Sequence, residues 1–393
     1  MQLPAEPLDL LDGAYYAADP GPLYAALRAD APVYRDANGL VAISRYRDLV
    51  DVERDPARYS SRNAFRPLMM DLHDDQSMIA HDDPLHGRRR RLVARRFTPR
   101  AVTGHTEEIR AVVAGLIDGA LEEGTVDAVE ALAAPLPAMM IAKYLGFGID
   151  RWREIKRWST ETIPLGGGPA YQNDVGITAA FEFAAACAEL IEHKRANPGD
   201  DMVSVWCNAT VDGEPMTDDM IIAECLLLVD GGAETTRTVL ASSLWDLLEH
   251  PDQLDALRAD PSLLSGPAVE ELIRWVSPVL NMCRVVTEDH ELHGERLARG
   301  DQVLLMYSSA NRDPDAFVDP DRFDVTRSDN HHVAFGFGTH FCLGSSLARL
   351  EIRLFFEEFL ARVRQYRIAP GTEPRRIPGA FVRGVDGLVL EVR

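Results

Sequence analysis

The sequence predicts a mainly α protein with a minor β portion, and three observations carry that expectation. The first is a helical run at 217–249 that opens on a cap-like Thr217-Asp218-Asp219 and stops before Pro251. At about 1.5 Å per residue it is about 50 Å long, enough to cross a whole domain. The second is the number of other helical patterns, at 22–30, 45–54, 84–100, 101–123, 134–146, 150–163, 172–196, 267–276 and 345–361. The third is that strand signals stay short. They lie in a hairpin pattern around Ala37-Asn38-Gly39, in 281–306 about turns at His293-Gly294 and Arg299-Gly300, and at the end of the chain.

The long run has a continuously apolar middle (Leu226, Leu227, Leu228, Val229), which predicts a central buried helix. No repeat or low-complexity linker divides the 393 residues, so one domain, 1–393, is expected. Two irregular stretches stand out. Residues 60–83 form a long loop mixing methionines with acids, and 164–169 (Pro-Leu-Gly-Gly-Gly-Pro) reads as a flexible lid. The window 132–149 is apolar but broken by Pro135, Pro137 and Lys143, so it reads as a buried helix and not a membrane span.

A net charge of −21 argues against nucleic acid as a partner. Against that acidic background Arg88, Arg89, Arg90, Arg91, Arg95, Arg96 and Arg100 crowd one short stretch. Five cysteines, at 187, 207, 225, 283 and 342, show no paired spacing. They read as reduced thiols, and with no signal-peptide pattern at 1–12 the expected compartment is cytoplasmic.

The chemistry centres on Phe335-Gly336-Phe337-Gly338-Thr339-His340-Phe341-Cys342-Leu343-Gly344. Glycines let the backbone turn tightly and approach a bound group, and the phenylalanines supply an apolar wall. A cysteine just before a helix meets the positive end of the helix dipole, which favours thiolate. Such a wrapped thiolate suits the axial position of a haem iron. A buried structural cysteine is the plain alternative. Zinc held by His331, His332, His340 and Cys342 is a weaker one, because the usual ligand spacing is absent.

Three further constellations bear on that choice. Gly231-Gly232-Ala233-Glu234-Thr235-Thr236 interrupts the long helix, and two interior glycines cost about 1 kcal/mol each against alanine. Thr235 can bond back to the Gly231 carbonyl and open the ladder for oxygen or water, while Glu234 adds a proton-passing group. Close helix packing explains the glycines equally well. Glu271 and Arg274 sit three apart on one helix face, with Arg322 as a third member of a structural cluster. His86 and Arg90 (four apart), Arg284 and His340 are candidate partners for the carboxylates of a porphyrin.

Taken together these motifs resemble the cytochrome P450 family over nearly the whole chain. Phe335-x-x-Gly338-x-His340-x-Cys342-x-Gly344 fits its haem-binding signature, 231–236 its oxygen-activation motif, and Glu271-x-x-Arg274 its ExxR pair, in the expected order. The resemblance implies the cytochrome P450 fold and haem b (iron protoporphyrin IX) with Cys342 as the axial thiolate. It implies cofactor contacts from His86, Arg90, Arg284, His340, Phe335 and Gly344, and oxygen binding and proton delivery by Thr235 and Glu234. It also implies a monooxygenase that inserts one oxygen atom of O2 into a C–H bond. Two electrons must come from outside, through a ferredoxin-type donor with a separate reductase docking on the arginine cluster together with Arg349 and Arg353.

The family's pocket positions hold Met69, Met70, Met78, Ile79, Leu227, Leu228, Gly231, Val279, Leu280, Met282 and Phe381 here, an apolar and methionine-rich set suited to a large hydrophobic ligand. The 278–286 segment and the spelling of the cysteine loop are similar to bacterial members that hydroxylate the terminal side-chain carbon of cholesterol or cholest-4-en-3-one. Macrolide, terpene or fatty-acid hydroxylation and a peroxide-using haem peroxygenase are the alternatives.

Overall fold

In the computed structural model, which describes residues 3–70 and 75–393, the long helical run is not one α-helix. It is built as Asp218–Val229, a π-helical turn Asp230–Glu234, and Thr235–Glu249. Thr217 caps the start by accepting from the Met220 amide. The π turn falls on Gly231 and Gly232, where the α ladder is weakest, and such turns in long helices often mark functional sites. Pro251 does end the run, but it also starts a further helix, Pro251–Ala259.

The basic 84–100 segment likewise divides. Leu85–Val93 is α-helical and Ala94–Phe97 a 3-10 turn, while Pro99 opens a new helix, Pro99–Thr103. Pro99 has no amide to donate, and the Thr98 side chain accepts from the Ala101 amide, so this point begins a helix where an end was expected.

Helices Pro135–Leu145, Trp152–Thr162 and Asp174–Ala196 pack around the interrupted central helix, and Thr106–Glu123 lies against Ser345–Arg362. Their apolar faces form the largest buried cluster, running from Met78 to Val392. A five-stranded sheet stands beside it in the order Val33–Arg35, Val41–Ile43, Gln302–Met306, Asn281–Val286, Tyr59–Ser60. Its first two strands are the expected hairpin, and Val41–Ile43 runs parallel to 303–305. The turns at Gly294 and Gly300 adopt left-handed φ of 82° and 96°. A three-stranded sheet joins Thr125–Asp127 to Val389–Val392 and Tyr366–Ile368.

The 164–169 segment is wound into two 3-10 turns, Ile163–Gly167 and Pro169–Tyr171. A Cβ on Gly166 would lie 2.5 Å from Phe381 Cδ1, and one on Gly167 2.7 Å from Tyr171 Cδ2. The glycines therefore seat this segment on its neighbours. The 60–83 loop carries one 3-10 turn, Met78–Ala80, and its residues 71–74 lie outside the described residues. Among the described residues no helix is long and apolar enough to cross a membrane.

Candidate functional site

The cysteine loop is shaped by two left-handed glycines, Gly336 (φ 69°) and Gly338 (φ 67°). Space reinforces the second, since a Cβ on Gly338 would stand 2.7 Å from the Glu53 carbonyl. The Cys342 amide donates to the Phe335 carbonyl at 2.9 Å, closing the loop just before the Ser345–Arg362 helix. Burial pushes the Cys342 thiol up, while the Gly344 and Ser345 amides and the Arg90 and Arg349 guanidinium groups pull it down. The donor set is that of a soft-metal thiolate held at a helix start.

Cys342 opens onto a large cavity with Phe335, Gly336, His340, Leu343 and Gly344 beside it. His86, Arg90 and Arg284 line the same cavity. The His86 ring lies 4.1 Å from the His340 ring, and its Nδ1 is 2.9 Å from the Met78 carbonyl. Arg90 donates to the Phe341 carbonyl at 2.6 Å. Arg284 donates to Glu53 Oε1 at 3.2 Å, and Tyr307 to the same oxygen at 2.8 Å. Both Glu53 and Tyr307 are cavity residues that sequence patterning gave no reason to select.

Burial and the nearby Arg284, His86 and Arg90 push the His340 imidazole down to about 2, so it stands neutral, and its Nδ1 has no partner among the described residues. Two arginines, two histidines and one orphaned nitrogen around an apolar cavity with a cysteine in its wall fit a flat apolar dicarboxylate such as haem. When bound, haem supplies the activation of O2.

The interrupted helix forms another wall of the cavity, with Asp230, Gly231, Gly232, Thr235 and Thr236. Thr235 Oγ1 donates to the Gly231 carbonyl at 2.7 Å, the back-bond expected of it. The two glycines serve different ends. A Cβ on Gly232 would clash with Ile141 Cδ1, so this glycine lets the Pro135–Leu145 helix approach. A Cβ on Gly231 would meet nothing within 4 Å. Glu234 is off the cavity wall, buried and paired with Arg237, which also donates to Thr160 at 3.0 Å. The carboxylate that this helix does place in the wall is Asp230, four residues earlier, and Thr162 donates to it at 2.6 Å.

Glu271 and Arg274 are fully buried and bidentate, at 2.7 and 2.8 Å. The expected third member is corrected. Arg322 is exposed and offers its carbonyl, while Arg327 donates Nε to Glu271 at 3.1 Å. Asn330 Nδ2 and the Asp324 amide add bonds at 3.0 and 2.9 Å. Arg274 reaches the Asn311 and Pro320 carbonyls, so the cluster pins the irregular chain leading to the cysteine loop.

Of the expected substrate-wall residues, Met78, Ile79, Leu227, Leu228, Gly231, Val279, Met282 and Phe381 line the cavity. Leu280, Met69 and Met70 do not. Extended chain alternates its side chains, so with Val279 facing the cavity Leu280 points into a separate cluster with Leu10 and Leu304. Met69 is buried, with Gln172 Nε2 3.8 Å from its sulfur. Phe65, Arg66, Ile141 and Ile163 take part in the wall instead. His331 pairs with Asp329 and His332 with Glu270, so the zinc set does not converge.

Fold and site together define a haem-thiolate type of protein, and comparison with known proteins gives the family. The cytochrome P450 family profile matches residues 266–390. The Steroid C26-monooxygenase of Mycobacterium tuberculosis H37Rv is 42% identical over 98% of this chain and 96% of its own length. That of Mycolicibacterium smegmatis is 42% identical over 97% of this chain and 95% of its own. A Mycobacterium marinum cytochrome P450 in complex with pseudoionone superposes with a TM-score of 0.89 at 32% identity, covering 99% and 100% of the two chains. A Bacillus megaterium cytochrome P450 in complex with testosterone gives 0.87 at 31% identity, covering 95% and 98%. The chain belongs to the cytochrome P450 family: it is a haem b monooxygenase that inserts oxygen from O2 into a hydrophobic substrate and depends on redox partners.

Proposed function

We propose that this monooxygenase hydroxylates the terminal carbon of a steroid side chain, with cholesterol or cholest-4-en-3-one as the substrate class. The observation that carries the reading is the 42% identity, end to end, to Steroid C26-monooxygenases. Identity falls to 34% for the Linalool 8-monooxygenase of Pseudomonas putida and 36% for the Streptomyces venezuelae cytochrome P450 monooxygenase PikC. The long apolar cavity with Met78 and Met282 in its wall agrees with a bulky hydrocarbon ligand.

In this reading the Cys342 thiolate would hold the haem iron, and Arg90, Arg284, His86 and His340 would hold the haem carboxylates. Thr235, in the cavity wall, would hold and orient a proton donor there, and Glu234, which Arg237 holds off the wall, would be a proton source behind it. Glu271, Arg274 and Arg327 hold the loop. Because these residues span most of the chain, the chain works as one domain. A ferredoxin-type donor with a separate reductase docks on Arg91, Arg95 and Arg100, which are exposed and form no ion pair among the described residues. Arg88, Arg96, Arg349 and Arg353, by contrast, are tied to Asp212, Asp200, Glu270 and Glu357.

The test is a titration of the haem-loaded protein with cholest-4-en-3-one, linalool and palmitic acid, followed by product analysis. A low-to-high-spin absorbance shift with the steroid and a terminal alcohol product are expected. A shift with only the terpene or the fatty acid rejects the steroid assignment.

A further inference from the structure

Two side chains of opposite charge stand in the apolar cavity wall, and the oxygen-insertion chemistry uses neither. Asp230, on the π turn, is 7% exposed and accepts from Thr162 at 2.6 Å through Oδ1. Its Oδ2 accepts no hydrogen bond among the described residues and faces Arg66 Nη2 at 3.8 Å, an ion-pair distance too long for a hydrogen bond. Burial, with Arg66 and Thr162 opposing it, pushes the Asp230 carboxyl up to about 6.

Arg66 arrives from a different element. Its backbone is fixed by Gln302, which donates to the Ala64 and Arg66 carbonyls at 2.8 and 2.7 Å. The guanidinium stacks 5.1 Å over the Phe65 ring, and its Nε is buried with no partner among the described residues. The site is thus built, its two halves held by separate elements, yet the pair stops short of bonding and leaves a donor and an acceptor facing the cavity. Buried charges left in that state are costly unless something completes them.

We propose that Arg66 and Asp230 recognise a hydroxyl group that the substrate already carries. A hydroxyl oxygen accepts from Arg66 while its proton goes to Asp230 Oδ2. A ketone can only accept, a carboxylate is repelled by Asp230, and a protonated amine can only donate. The pair therefore sets specificity among ligands of equal shape. The inference rests on the steroid reading only for the skeleton that bears the hydroxyl.

The experiment is spin-state titration of the full-length, haem-loaded protein with two matched sets. One is 5α-cholestan-3β-ol against 5α-cholestan-3-one, and the other dodecan-1-ol against dodecanal. Wild type should bind an alcohol about tenfold more tightly than its carbonyl partner, the effect of one charge-assisted hydrogen bond. Asp230→Leu and Arg66→Met should each bring that ratio towards one. Arg66→Met serves where Asp230→Leu fails to give the thiolate-type carbon monoxide spectrum. If neither sterol shifts the spectrum while dodecanol keeps a variant-sensitive preference, the steroid reading falls and the hydroxyl site stands. Absence of an alcohol preference in both sets, or a preference unchanged in both variants, overturns the proposal.

Discussion

Glu271 shows at the residue scale how a charge buried to zero exposure is made tolerable: each oxygen is bonded, and Arg274, Arg327, Asn330 and a backbone amide share the work. Removing Arg327 takes one of these bonds from the buried carboxylate and also takes a donor from the Val318, Asp319 and Arg322 carbonyls. Arg327→Ala should therefore destabilise the fold by about 3 kcal/mol, whereas Arg322→Ala, on an exposed side chain, should stay within about 0.5 kcal/mol. Chemical denaturation of the two variants checks the contrast. The cysteine, the ExxR pair and Thr235 were legible in the sequence because their chemistry depends on fixed local spacing. The third member was not, since 311–334 has no periodicity to say which arginine turns inward. A pH effect also belongs at this scale. Glu351 is buried, and burial pushes its carboxyl from an ordinary 4.5 up to about 8. Between those values the native protein keeps a proton that the unfolded chain releases, so the residue makes stability fall as pH rises through that window. Glu351→Gln should raise Tm relative to wild type at pH 8, and the gain should vanish near pH 5.

At the scale of elements, the central helix was legible in extent, in its apolar middle and in the break at 231–236, but the π form of that break was not. Period 3.6 runs through both halves, and only packing decides how the ladder slips. Gly231 and Gly232 look alike in sequence and differ in surroundings, so they should answer mutation differently. Gly232→Ala drives a methyl against Ile141 and should cost about 1–3 kcal/mol. Gly231→Ala meets open space and should leave thermal stability unchanged or raise it by up to about 1 kcal/mol. Its added methyl narrows the cavity, so bulky ligands should bind more weakly. Thermal denaturation and ligand titration of both variants separate the two roles. How the 164–169 segment sits was illegible for a related reason. Glycine and proline announce a turn equally whether the turn is loose or, as with Gly166 against Phe381, tightly seated.

For the molecule as a whole, a net charge of −21 repels an acidic partner except where Arg91, Arg95 and Arg100 face outward. Reduction by an acidic ferredoxin should slow as salt is raised, since exposed charges more than about 10 Å apart are largely screened at 0.1 M. Changing the three arginines to glutamate should slow it about tenfold at low salt while leaving the substrate-induced spin shift intact. Stopped-flow reduction under carbon monoxide reads the rate directly. The strand pairing described above carries a different consequence, for the order in which the chain acquires its shape during synthesis. Val41–Ile43 has its parallel neighbour at 303–305, and Thr125–Asp127 its partner at 389–391. Contacts so distant along the chain are slow to form, because the intervening loop must close first. Both strands therefore leave the ribosome long before their mates exist and wait with open edges. The cysteine loop lies between the two late partners, so the haem cradle is completed only after the strands that wait for them have long been made.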